Sequence, residues 1–266
     1  MPGLWVLTDS DRLGERMPRA LARALAARGL EARMVVADGE RASWRGLAQR
    51  DLVVARTHTA AGLALLEAAE LHGAHLFEPI AALRAARNKA QVALTLARAG
   101  VTVPDTVVAY ALEQAARLGF PLVLKSVFHG AGAGVRVVHT RCQLAQAPWD
   151  GMPVLAQGYV ATGGVDLRLY VAGDRVWALR RSSPLLAPGA IGRPVALTGA
   201  LRDLALACAR RIGLRLCAIT ALEAPGGPVV VDVEAFPNYS GVAEAGEAVA
   251  GAVIARLAVS GRRCER

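Results

Sequence analysis

The sequence predicts an α/β unit at its N-terminal end followed by an α+β region built on antiparallel sheets. Three observations carry this. Through about residue 80, short apolar runs alternate with Ala/Leu/Arg-rich helical stretches, the grammar of parallel βαβ units. Beyond Pro104, strand-like runs follow one another through Gly-containing turns, which marks antiparallel pairing. The chain has 266 residues, more than one average domain of roughly 100 to 200 residues, which favours more than one compact unit.

Leu4 to Leu7 reads as a strand, Arg16 to Arg28 as a helix closed by Gly29, and Leu30 to Val36 as the next strand. Asp51 to Ala55, Ala60 to His72 with its capping Gly73, and Ala74 to Phe77 repeat the pattern as strand, helix and short strand. No GxGxxG follows the first strand, so this is not a dinucleotide site. Ala81 to Ala99 is helical and ends at Gly100, and Thr106 to Tyr110 is a strand. Phe120 to Ser126, Gly134 to His139, Val154 to Val160, Leu167 to Ala172 and Arg175 to Arg180 follow as strands. A helix from about Leu201 to Ile212 precedes two strands, Leu216 to Glu223 and Pro228 to Glu234, joined by a turn at Ala224-Pro225-Gly226-Gly227.

Hydrophobic residues make up 54% of the chain, yet its apolar runs are cut well short of the roughly 18 residues that a membrane span needs. Met1 to Leu7 runs into Thr8, Asp9 and Asp11 without a basic region or cleavage site, so a cytoplasmic protein without a membrane role is expected. Cys142, Cys208, Cys217 and Cys264 form no CxxC pair, against zinc knuckles and a disulfide frame. The net charge of +9 comes from dispersed arginines with only 5% aromatics, which disfavours nucleic acid and leaves anionic small molecules or a merely solvated surface. His72 and His75 flank a glycine at a helix end without a third ligand and read as surface histidines.

Only two of the 31 basic residues are lysines, Lys89 and Lys125. A compact ammonium differs from a guanidinium fork, and phosphate oxygens beside a metal ion are a place for it. Lys125 ends an apolar strand and is followed by Gly130, Gly132 and Gly134, where absent Cβ atoms let backbone N–H groups approach phosphate. No Lys-Ser/Thr follows the last glycine, so this is a hairpin lid and not a Walker loop; a Gly-rich turn without a ligand is the alternative. Near the C-terminal end, Asp232 and Glu234 lie two apart on a strand, on one face, with Val231 and Val233 on the other. Paired carboxylates repel unless a cation lies between them, and magnesium, or manganese in its place, suits carboxylates plus phosphates; a solvated strand face is the alternative.

The order Arg87-Asn88-Lys89, Gly100 to Thr106, Pro121 to Lys125 and the glycine loop resembles the ATP-grasp superfamily, and within it the RimK-type and LysX-type carboxylate-amine ligases. Gln157-Gly158-Tyr159-Val160 looks like the adenine hinge and Asp166-Leu167-Arg168 like the Asp-x-Arg after it. Arg181-Ser182-Ser183 is similar to the Arg-led segment near the reacting phosphate, and Asp232 to Pro237 to the metal strand. The resemblance implies residues 1–80 as a preceding α/β domain, 81–153 as a small subdomain with the lid, and 154–266 as a C-terminal subdomain, the latter two clasping ATP between antiparallel sheets. It implies phosphate contacts from Lys89, Lys125 and the lid glycines, adenine contacts from Gln157, Gly158, Tyr159 and Val160, a nucleotide role for Asp166, a charge clamp of Arg168 and Arg181, and metal ligation by Asp232 and Glu234. The implied reaction joins an amine, glutamate or a similar amino acid, to a carboxylate through an acyl phosphate, releasing ADP and phosphate, in a homo-oligomer acting on small carboxylate and amino-acid substrates. A D-alanine-D-alanine-like dipeptide ligase stays open, and so does a non-catalytic nucleotide sensor, because Thr220 stands where a metal carboxylate is usual and 184–198 keeps little polar beyond Arg193; Gly158 also replaces the hinge Glu.

Overall fold

The computed structural model describes residues 3–39, 42–128, 134–148, 153–183, 187 and 189–261. It opens with β1 (Leu4–Thr8), α1 (Arg16–Ala26), β2 (Ala32–Val36), α2 (Trp44–Ala48), β3 (Leu52–Arg56) and α3 (Ala60–Leu71). The three strands form a parallel sheet in the order β2-β1-β3, with Val6 opposite both Met34 and Val54. Ala74 to Phe77, expected as a strand, makes a single bridge from Leu76 to Val53 and nothing longer.

The stretch expected as one helix over 81–99 is two, α4 (Ile80–Arg87) and α5 (Lys89–Arg98). Asn88 leaves the helical region (φ −101°, ψ 97°), and its side chain accepts the Gln91 N–H, so it caps α5. Beyond it come β4 (Thr106–Ala109), α6 (Leu112–Ala115), β5 (Leu122–Ser126), β6 (Arg136–Val138), α7 (Arg141–Ala145) and β7 (Val154–Gly158). Their four strands make an antiparallel sheet in the order β4-β7-β5-β6.

The chain continues with β8 (Val165–Ala172), β9 (Arg175–Ser182), the short β10 (Arg193–Pro194), α8 (Gly199–Ile212), β11 (Leu216–Ala224), β12 (Gly227–Ala235) and α9 (Ala245–Gly261). These strands form a second antiparallel sheet, β10-β9-β8-β11-β12. Gly227, at φ +107°, closes the β11–β12 hairpin in a region of backbone space that residues with a Cβ seldom enter.

Strand periodicity distributes the core. Trp5 and Leu7 of β1 face one apolar cluster while Leu4 and Val6 face another, and β3, β8 and β11 split in the same way. The first cluster is covered by α3, α4, α5 and α8, the second by α1 and α9. The parallel sheet and the five-stranded sheet therefore share both cores. The four-stranded sheet has its own, around Leu122, Leu124, Val138, Leu144 and Ala156.

Candidate active site

The site forms where the four-stranded sheet meets β12. Thr220 of β11 pairs with Asp232, but Ala221 pairs with Val230, so Val231 is one residue too many for its partner strand. This bulge puts Val230 and Val233 in the core, at 2% and 1% exposure, in place of the expected Val231 and Val233. Asp232 and Glu234 still share the opposite face, as the sequence predicts. The Val231 carbonyl accepts a hydrogen bond from Lys125 Nζ at 3.1 Å.

Both lysines converge here from different elements. Lys89, at the start of α5, places Nζ 2.9 Å from Asp232 Oδ1. Its own amide donates to Val127 O at 2.9 Å, which ties the helix start to the end of β5. Lys125 is buried in β5 and donates to Gln157 Oε1 on β7 at 2.8 Å. Gln157 in turn donates to Thr106 Oγ1 at 3.1 Å. Burial, with Lys89 as a like charge nearby, pulls the Lys125 pKa down to about 8, against the pull of Asp232 and Asp166.

Each carboxylate of the acidic pair, part-exposed in the cleft, meets a side-chain cation. Burial would raise the Asp232 pKa, but Lys89 and Lys125 more than offset it and hold it below the ordinary carboxylate value. Glu234 is paired with Arg168, and their side chains are 28% and 7% exposed. Arg168 also donates to Thr220 Oγ1 at 2.6 Å. Thr220 thus serves as a seat for Arg168, and each carboxylate already has its own cation. Burial would lower the Arg168 pKa, yet Glu234 raises it.

Arg168 and Arg181 line a cavity of about 200 Å³ together with Tyr170, Glu234, Asn238 and Ser240. The Nε atoms of both arginines are buried without a hydrogen-bond partner. Burial and the neighbouring Arg168 lower the Arg181 pKa. Two close guanidiniums with unused donors form a site shaped for an anion. Asp166 is buried beside them, and burial raises its pKa despite Arg181 and a hydrogen bond from Ser183.

Two residues of the expected adenine hinge use their amides within the fold. The Gly158 amide donates to Asp105 O at 2.9 Å and the Tyr159 amide to Pro121 O at 3.2 Å, so neither N–H points at an open adenine edge. Those amides instead hold the end of β7 against its neighbours, while the Tyr159 ring is exposed and Val160 half-buried. Gly134, at the end of the glycine loop expected to form a lid, adopts φ +77°, and Gly130 and Gly132 lie outside the described residues. His72 stacks on Trp44 with ring centroids 3.9 Å apart and contacts Ala68 O.

Other residues line the cleft that were not expected as site residues, Arg87 having entered only as part of a motif. Arg12, Arg56, Thr57, His58 and Arg87 line it together with Lys89, Asp232 and Glu234. Asp9, Thr57 and His58 could have been found from their place: they directly follow β1 and β3, whose carboxyl ends are where open parallel sheets bind ligands. No helix among the described residues is long and apolar enough to cross a membrane.

Comparison with known proteins agrees with this architecture. The RimK-like ATP-grasp domain matches residues 86–257, well over half of the chain. A probable alpha-L-glutamate ligase of Serratia proteamaculans (strain 568) is 32% identical over 240 residues, 82% of this chain and 80% of that protein. A ribosomal protein bS6–L-glutamate ligase of Salmonella schwarzengrund (strain CVM19633) is 31% identical over 219 residues, covering 74% and 73% of the two. The crystal structure of a RimK domain ATP-grasp protein from Sphaerobacter thermophilus DSM 20745 superposes with a TM-score of 0.75 at 26% identity, over 96% of this chain and 99% of that one. With an ATP-grasp fold and curated relatives that are glutamate ligases, the chain belongs to the RimK-like ATP-grasp family and is an ATP-dependent carboxylate–amine ligase.

Proposed function

We propose that the ligase activates a substrate carboxylate as an acyl phosphate and couples it to glutamate or a similar amino acid. The observation that carries this reading is the meeting of the only two lysines at Val231 and Asp232, beside two arginines with unused buried donors. Carboxylate oxygen is a poor leaving group and phosphate a good one, so transfer of the terminal phosphoryl of ATP prepares the carbonyl for the amine. Nitrogen attacks the carbonyl carbon, the bond to phosphate breaks, the ammonium proton is lost, and ADP and phosphate are the co-products.

In this reading Lys89 and Lys125 hold phosphate oxygens as point charges, while Arg168 and Arg181 spread the charge of the group in transfer. Gln157, Gly158, Tyr159 and Val160 border the base, Asp166 orients the arginines, and the loop with Gly130, Gly132 and Gly134 closes over the phosphates. With the chain divided near residues 80 and 153, ATP in this reading lies between 81–153 and 154–266. The hard oxygen donors of Asp232 and Glu234 fit magnesium, which neutralises phosphate charge when bound with the nucleotide. Because Lys89 and Arg168 already balance these carboxylates, bare magnesium binds weakly and the ion arrives with ATP.

The acceptor is a small metabolite or a carrier-protein tail; the glutamate ligases among the relatives favour glutamate as the amine. The test is product analysis across an acid-by-amine panel with hydroxylamine present. ADP and a hydroxamate are expected, and stoichiometric AMP would exclude the mechanism.

A further inference from the structure

The parallel sheet contributes a second group of charged side chains to the same cleft. Its order β2-β1-β3 makes the gap between β1 and β3 the point where successive connections diverge, and at the carboxyl ends of such strands a crevice opens. Asp9, just past β1, spans this gap. Its Oδ1 accepts from the Thr57 and Thr59 hydroxyls (2.5 and 3.0 Å) and its Oδ2 from the His58 amide (2.7 Å). Both oxygens of a 2% exposed carboxylate are spent on fixing the turn after β3.

That turn aims His58 at Arg12. The imidazole Nδ1 accepts from Arg12 Nε at 2.7 Å, so the ring positions the guanidinium while Asp9, through the His58 amide, holds the backbone that carries the ring. Gly62 is part of the arrangement, since a Cβ there would lie 2.0 Å from Thr57 Oγ1. Arg87, at the end of α4, faces the same cleft and donates to Phe128 O at 3.3 Å. Burial and the like charge of Arg12 lower the Arg87 pKa. Two guanidiniums that oppose each other in a half-buried cleft lose less when an anion lies between them. Glu15 lies 3.5 Å from Arg12 but also pairs with Arg56, so it is shared.

We propose that Arg12, His58 and Arg87 form a subsite for the non-reacting carboxylate of a dicarboxylic substrate, held across the cleft from Lys89 and Asp232. It rests on the ligase reading and extends it: the substrate carries one carboxylate to be activated or aminated and a second as a handle. Arg12 and Arg87, both lining the cleft, supply the positive charge and N–H donors that a carboxylate favours.

Calorimetry tests this on the full chain with L-glutamate, glutarate and inorganic phosphate as probes, with and without a saturating non-hydrolysable ATP analogue and magnesium. Glutarate or L-glutamate is expected to bind, and Arg12→Gln and His58→Gln to weaken that binding at least tenfold while analogue affinity stays within twofold. Retained analogue affinity shows that the variants are folded, and His58→Asn offers a smaller change where the Gln variant melts. The subsite is overturned if no carboxylate binds the wild type, if phosphate is preferred over both carboxylates, or if the variants lose analogue affinity instead. Failure of the wild type to bind the analogue sinks the ligase reading, while the titration without nucleotide still decides the subsite.

Discussion

Lys125 carries a charge whose cost is visible before any nucleotide arrives. Its pKa of about 8 lies below the ordinary lysine value of 10.5, chiefly through burial. Between these values the unfolded chain binds more protons than the folded one, so this side chain makes stability rise as pH climbs from about 8 to 10.5. Lys125→Met is expected to abolish that rise in thermal melts. It should also weaken ATP-analogue binding by about 1.5 to 3 kcal/mol, the value of a charge-assisted hydrogen bond. Unchanged affinity in calorimetry would remove Lys125 from the phosphate site. Asp232→Asn should abolish turnover and also cost stability, because it leaves Lys89 and the buried Lys125 short of their counter-charge. For a pair only 11% and 19% exposed, a loss of about 1 to 3 kcal/mol in denaturant melts is expected, below the roughly 3 to 5 kcal/mol of a fully buried pair. Thr220→Asp should draw Arg168 away from Glu234 and raise magnesium affinity, which a titration monitored by melting temperature would read.

At the scale of elements, the break at Asn88 decides where Lys89 points. Asn88→Ala removes the cap of α5 and lets α4 run on, which should cost about 0.5 to 2 kcal/mol and raise KM for ATP while the substrate KM stays level. Equal changes in both constants would make Asn88 a purely structural cap. The sequence made much of this legible. The strands of both antiparallel sheets other than the short β10, and the shared face of Asp232 and Glu234, follow from period-two alternation and turn chemistry, while the order of the motifs was legible through the family resemblance. The bulge at Val231 was hidden because it depends on which residue of β11 stands opposite. The pairing of Lys89 with Asp232, 143 positions apart, has no local signal. The expected single helix over 81–99 failed because apolar periodicity runs through Asn88 without a mark, and α9 was missed because its Ala/Val-rich run is apolar on all sides.

At the scale of the whole molecule, Glu78 latches the segment after the parallel sheet to the start of β11. It is 2% exposed and accepts from the Arg215 and Leu216 amides at 2.6 and 2.7 Å. Burial pushes its pKa up to about 7, against those hydrogen bonds and Arg215. A carboxyl raised from 4.5 favours the folded state while protonated, so its stabilisation is complete below about 4.5 and is lost as pH rises through 7. The span amounts to on the order of 3 kcal/mol. Melting temperature should therefore fall between pH 5 and 8, and Glu78→Gln should flatten that profile; an unchanged profile would place the titration elsewhere.

The division of the apolar interior has a consequence for how the enzyme breathes. The parallel and five-stranded sheets must unfold together, since every central strand serves both of their common cores. The four-stranded sheet, with a small interior of its own, can open alone and carry Lys125 and Gln157 with it. Amide hydrogen exchange should resolve two cooperative units, with β5 and β7 exchanging first and β1, β8 and β11 only on global unfolding. The half that carries Lys125 and Gln157 would then be the softer of the two, able to open and reclose at a free-energy cost far below that of denaturing the protein.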